Sequence, residues 1–284
     1  MLPKERVQAI GLLLLTTLVI GCADEKEEAV LAETVAIAEP TDRVILSSEI
    51  EWEKLNPARG DASPQAGTIF GDRKGDGVAT GFLAKFVDGF SSPPHIHNVT
   101  YRAFVISGLR HNDYPAAEKM WMPAGSFWIQ PAGEAHITAA KGTKNVAYVE
   151  IDSAPYLVKP TDEAYDNGDR PINIHADNIV WSNLDAMDVK IAYLWGNPEG
   201  TDHRGVFIKL PADFNGKLHT EGKELRAVVV SGVVSYLLPG QTEAKQLDAG
   251  SSFSSEGKTV HQVSSADGME SVIYLRTNGL FRIR

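Results

Sequence analysis

The sequence predicts an all-β protein made of two small sandwiches or barrels in tandem, and three observations lead there. Beyond residue 43 the apolar residues fall in short runs, among them "ATGFLAKFV", "YRAFVISG", "GSFWIQP" and "NVAYVEID", that alternate or stay apolar as strands do. Gly, Pro, Asn and Asp punctuate these runs, and no long helical periodicity interrupts them. The chain of 284 residues also repeats itself in order, which indicates two copies of one domain.

The amino terminus precedes that fold. "MLPKERVQAIGLLLLTTLVIGC" opens on Lys4 and Arg6, continues as an apolar run from Ala9 to Ile20, and closes on Gly21-Cys22. The run is shorter than the ~20 residues that span a bilayer, so residues 1–22 read as a secretory signal. "LVIGC" resembles a bacterial lipobox, which implies that Cys22, the only cysteine, is lipidated and becomes the first residue. Ala23 stands where an inner-membrane retention signal would place Asp. The expected location is therefore the bacterial cell envelope, lipid-anchored at the outer membrane. Residues 23–43 are acidic, rich in Ala and free of aromatics, the composition of a flexible tether.

The two copies follow. "RAFVISG" from Arg102 matches "RAVVVSG" from Arg226, and "TIFGDRKGD" matches "YLWGNPEGT". Trp52 pairs with Trp181, and "GSFWIQPAGEAH" pairs with "GSSFSSEGKTVH", setting His136 on His261. The domains are placed at 44–158 and 174–284. A linker over 159–173 is marked by its Pro, Gly and Asp residues. A formal net charge of −10, with no Lys/Arg block, argues against nucleic acid as a partner. No phosphate-cradling glycine loop points to nucleotide chemistry.

The first copy carries the chemistry. In "HIHNVTYRAFVISG" a period of two puts His95, His97, Val99, Tyr101, Ala103 and Val105 on one strand face. Two imidazoles side by side on an inward face are costly unless something uses their nitrogens, and a metal ion is the usual user. "SSPPH" gives the first histidine a rigid entry, and "PAGEAH" offers His136 after a tight turn as a third ligand. Tyr101 on the same face could be a ligand, a proton donor or acceptor, or a lining aromatic. His111, in "GLRHND", reads as a loop histidine, and Glu134 as a turn residue.

Gly89-x5-His95-x-His97-x3-Tyr101-x6-Gly108, followed by Gly125-x5-Pro131-x-Gly133-x2-His136, resembles the paired motifs of cupins. "LNPARGD" and "PAGEAHITA" are further similar to an uncharacterised two-cupin family related to the cupin domain of ChrR-type anti-sigma factors. The resemblance implies two tandem jelly-roll (double-stranded β-helix) barrels with a metal inside, held by His95, His97 and His136. The Glu ligand of the family is replaced by Tyr101. A three-His site of this kind resembles the iron centre of thiol dioxygenases. Zn or Fe(II) is the expected metal, with Ni and Cu also suited to imidazole and Mn disfavoured by the missing carboxylate.

In the second copy the matching positions are His219, Glu221 and His261, a two-His-one-carboxylate set, although the Tyr and the Pro-x-Gly turn are gone. Three functions fit. The first is a metal-dependent enzyme (dioxygenase, lyase or isomerase) acting on a small molecule, with Tyr101 moving a proton. The second is a non-catalytic envelope protein that binds or senses a metal or ligand, and the third a structural bicupin. Self-association to a homodimer is compatible with each.

Overall fold

The computed structural model describes residues 42–184, 188–266 and 268–284. The signal segment, Cys22 and nearly all of the tether lie outside the described residues. Arg43, at the tether's end, opens a strand. The described residues form antiparallel strands and four short 3-10 helices, Ser47–Glu49, Pro57–Ala62, Thr161–Glu163 and Ala176–Asn178, with no α-helix among them.

The strands build two seven-stranded sheets. In the first the order is Ile172–Ile174, Phe127–Gln130, Tyr101–Asp113, Ile137–Ile151, Thr80–Phe86, Gln65–Phe70 and Glu53–Lys54. In the second it is Arg43–Ile45, Ser252–Glu256, Glu224–Ser231, Ser271–Thr277, Arg204–Leu210, Val189–Trp195 and Ser182–Leu184. A five-stranded sheet (Lys245–Asp248, Val233–Leu237, Thr259–Ser265, Asn215–Thr220, Phe281–Ile283) faces the second of these across a core of Val206, Ile208, Leu218, Leu225, Tyr236 and Leu275. Two strands cross over between the sheets. Arg43–Ile45 pairs with Ser252–Glu256, far along the chain, and Ile172–Ile174 returns to pair with Phe127–Gln130.

The near-continuous apolar run "AFVI" is explained by burial on both faces of its strand. Tyr101, Ala103 and Val105 turn inward to pack with Phe82, Trp128, Ala147 and Val149. Phe104 and Ile106 turn the other way and meet Phe207, Val228 and Tyr274 of the second seven-stranded sheet.

One bend positions the site. Tyr101–Asp113 shifts register between Val105 and Ser107 and again between Ser107 and Leu109. Gly108 sits there at φ +77, where a Cβ would collide with the Asn145 amide oxygen. Beyond the bend, Leu109–Asp113 pairs with the start of Ile137–Ile151 and carries Arg110 and Asn112 over the interior. His111, expected in a loop, is in this strand and buried.

Candidate metal centre

Local sequence prepares the site and cross-strand pairing completes it. The short strand Ile96–His97 pairs with Val158–Lys159. Alternation sends the fully buried Ile96 to one side and His95 and His97 to the other. His136 arrives after the Pro131–Gly133 turn. Gly133 has φ +80, and a Cβ there would strike the Tyr165 carbonyl. Paired backbone hydrogen bonds of 3.0 and 2.9 Å then hold His95 and His136 opposite each other.

The three buried imidazoles have ligand atoms within 4.8 Å of one another. Each Nδ1 faces a backbone carbonyl: Pro93 at 2.9 Å for His95, Leu157 at 3.0 Å for His97 and Glu134 at 3.1 Å for His136. With Nδ1–H donating to those oxygens, each Nε2 carries the lone pair. Carbonyl partners of this kind orient metal-binding histidines and fix their tautomer. The Nε2 of His136 is buried with no hydrogen-bond partner among the described residues. That orphan acceptor is what a metal ion would satisfy.

Electrostatics agrees. Burial holds all three histidines below the usual imidazole range, His136 at about 3, and the neighbouring imidazoles add to the effect at His97 and His136. Neutral rings at physiological pH are ligands rather than cations. The chemistry of the donor set therefore fits a divalent transition metal.

Tyr101 lies beside the centre, its ring 5.2 Å from that of His97 and 6.2 Å from that of His136. Its hydroxyl donates to Asn112 Oδ1 at 2.9 Å, and burial pushes its pKa up to about 12. At neutral pH it is a proton-bearing phenol. Asn112 in turn donates to Gln130 Oε1 at 3.0 Å, and Gln130 donates to the Glu134 carbonyl that also receives His136 Nδ1–H. A buried polar chain thus links Tyr101 to His136. Glu134 contributes its backbone to this chain.

Tyr156 is a neighbour that no sequence motif signalled. Its ring stacks on His97 at 4.4 Å, and its hydroxyl donates to His97 Nε2 at 3.2 Å. It also forms part of the wall between two cavities. One, of about 370 Å³, is lined by His95, His97, Phe86, Phe90 and Arg59 among others. The other, of about 50 Å³, lies against the inward face of the first seven-stranded sheet and is lined by Tyr101, Arg110 and Asn112 among others. Leu55, Phe86, Thr138 and Tyr156 line both.

The structure does not bring His219, Glu221 and His261 together. His261 pairs across the ladder with Leu218, so these two share a face, and His219 on the next position points to the opposite one. Glu221 is exposed. Both nitrogens of His261 are used within the protein, by the Tyr236 hydroxyl at 2.7 Å and the Ser255 hydroxyl at 3.0 Å. Among the described residues, the one metal-competent group of three is His95, His97 and His136.

A family model described as "Domain of unknown function (DUF4437)" matches residues 43–284. No curated protein sequence matches the chain. Solved structures do resemble it at low identity. A provisionally assigned dioxygenase from Nostoc punctiforme is 12% identical with a TM-score of 0.65, covering 83% of this chain and 82% of that one. Salicylate 1,2-dioxygenase from Pseudaminobacter salicylatoxidans is 12% identical with a TM-score of 0.58, covering 89% and 91%. AerE from Microcystis aeruginosa is 11% identical with a TM-score of 0.55, covering 84% and 98%.

Proposed function

The chain belongs to the DUF4437 family and has the cupin fold, and from that premise we propose that it is a metal-dependent dioxygenase acting on a small organic molecule at His95, His97 and His136. The observation that carries this reading is the set of three buried imidazoles, each with Nδ1 committed to a carbonyl, whose ligand atoms lie within 4.8 Å of one another. Fe(II) is the favoured metal, because imidazole ligands suit it and solved structures with this fold include dioxygenases.

When bound, the iron supplies the one-electron chemistry that lets dioxygen react with an organic substrate. The protein's own residues do the rest. His95, His97 and His136 would hold the ion without neutralising it, since none carries charge. No carboxylate belongs to the group, so coordination positions remain for reactants. Phe86 and Phe90 give the outer cavity apolar walls that favour an organic ligand over water. Tyr101, with its proton retained, would donate a hydrogen bond or a proton beside the centre once its hydroxyl turns from Asn112, which keeps the Thr138 hydroxyl as a donor.

The same reading takes the protein as a two-cupin chain related to the ChrR-type cupins. Its second barrel is structural, and the chain is anchored at the outer membrane through Cys22. Cys22→Ser is expected to release it from membrane fractions. Retention of the variant after a carbonate wash would remove the anchor. For the activity, protein purified without oxygen and loaded with Fe(II) should consume dioxygen with a small organic acid from a screened panel. His136→Ala should lose both the iron and the uptake. Wild-type protein that takes up no stoichiometric transition metal would overturn the proposal.

A further inference from the structure

Arg110 is the anomaly of the barrel interior. It is 1% exposed, and none of its three guanidinium nitrogens has a hydrogen-bond partner among the described residues. No carboxylate pairs with it there. The guanidinium carbon lies over the Phe86 ring, 3.9 Å from its centroid, so a cation–π contact answers part of the charge while the N–H donors stay unmet. A buried charge without partners is costly, and burying it unpaired is tolerated only where something else answers it.

The surroundings say what that is. Arg110 lines the inner cavity of about 50 Å³ together with Phe82, Phe86, Tyr101, Trp128 and Tyr156. The lining is largely aromatic, the guanidinium brings a planar fork of donors to it, and the volume suits a group of a few heavy atoms. The cavity shares Leu55, Phe86, Thr138 and Tyr156 with the outer one that exposes His95 and His97. A ligand crossing that shared wall would have one end on the guanidinium and the other near the histidines.

We infer that Arg110 is the anchor for a substrate carboxylate, and that the substrate class is small carboxylic acids with a flat, apolar body. The inference rests on the dioxygenase reading for the position of the reacting end. A carboxylate matches the guanidinium fork with two parallel charge-assisted hydrogen bonds, and a flat body matches the aromatic walls. A neutral amide of the same shape cannot make that pair.

The test uses benzoate and benzamide as probes on the full folded chain loaded with Fe(II) under nitrogen. Wild type is expected to bind benzoate at least tenfold more tightly than benzamide by calorimetry, and benzoate should raise its Tm. Arg110→Met should lose that preference while keeping the metal content and a ligand-free Tm at or above that of wild type. Arg110→Lys, which keeps the charge and loses the fork, should retain part of the preference.

Three outcomes would overturn the inference. One is no preference in wild type. Another is an undiminished preference in Arg110→Met, which would put the carboxylate on the metal instead. The third is a lower ligand-free Tm in both variants, which would make Arg110 part of the fold. Each of these can occur with stoichiometric iron still bound, and then the metal centre stands. Absence of iron in wild type strikes the dioxygenase reading itself.

Discussion

Each of the three histidines spends one nitrogen on a backbone carbonyl, and that commitment is what aims the other. Removing one ring should leave two aligned imidazoles and no stoichiometric metal. His95→Ala and His136→Ala are each expected to bring bound metal close to zero by elemental analysis, and chelation should lower the Tm of wild type but not of the variants. Full occupancy in both would dismiss the centre. Tyr101→Phe differs in kind. Asn112 Oδ1 keeps the Thr138 hydroxyl as a donor at 2.8 Å, so the change should cost about 1 kcal/mol of stability and no metal. Metal lost from Tyr101→Phe would make the phenol a ligand. His261 acts through pH. Burial holds its folded pKa near 4, below the roughly 6.5 of an unfolded histidine. The folded chain then binds fewer protons than the unfolded chain between those values. Stability is full above pH ~6.5 and falls as pH drops through the window, by up to about 3 kcal/mol. Urea titrations of wild type and His261→Gln from pH 7 to 4 should show the shallower decline in the variant, and identical slopes would take His261 out of the account.

At the scale of elements, the turn before His136 carries more of the site than its length suggests. Gly133 combines φ +80 with a Cβ position blocked by the Tyr165 carbonyl, whereas Gly77, at φ +68, has open space around it. Gly77→Ala should cost only the left-handed strain, about 1–2 kcal/mol, and leave metal binding unchanged. Gly133→Ala must also displace backbone and should weaken metal affinity at least tenfold in a competitive chelator titration; equal affinities in the two variants would show that the turn does not set the site. This contrast marks what the sequence could disclose. His95, His97 and His136 were legible because alternation and a Pro-x-Gly turn are local patterns. Tyr156, Asn112 and Gln130 were not, since they reach the centre only when distant strands pair. Arg110 and His111 were obscured by the bend at Gly108, which continues the strand where local punctuation suggested a loop. His219 and His261 sit at aligned positions but on opposite faces, because face is decided by which residue stands across the ladder. Alignment carries no such information.

At the scale of the whole molecule, the surface between the two seven-stranded sheets is as much a core as the clusters on their other faces are. Phe104 stacks on Tyr148 at 4.9 Å and meets Phe207 and Tyr274 edge-on or tilted within 5.4 Å. Buried Glu150 accepts hydrogen bonds from Tyr148 at 2.8 Å and, from the other sheet, Tyr274 at 2.7 Å, with the Arg276 guanidinium 3.6 Å away. Arg102 lies over the Trp195 ring at 3.9 Å. Cutting the chain between the halves would leave Glu150 with an exposed carboxylate and Phe104 and Ile106 facing water, and each half would lose the edge strand that the other lends it. The halves should therefore unfold together. Heating the metal-loaded protein is expected to give one transition, with tryptophan fluorescence, far-UV circular dichroism and metal release coinciding. Residues 47–171 produced alone should aggregate or bind dye as an open core does, and should hold metal far more weakly than the full chain. Two separate transitions, or a soluble 47–171 fragment with stoichiometric metal and wild-type affinity, would show that the metal centre needs nothing from the second half of the chain.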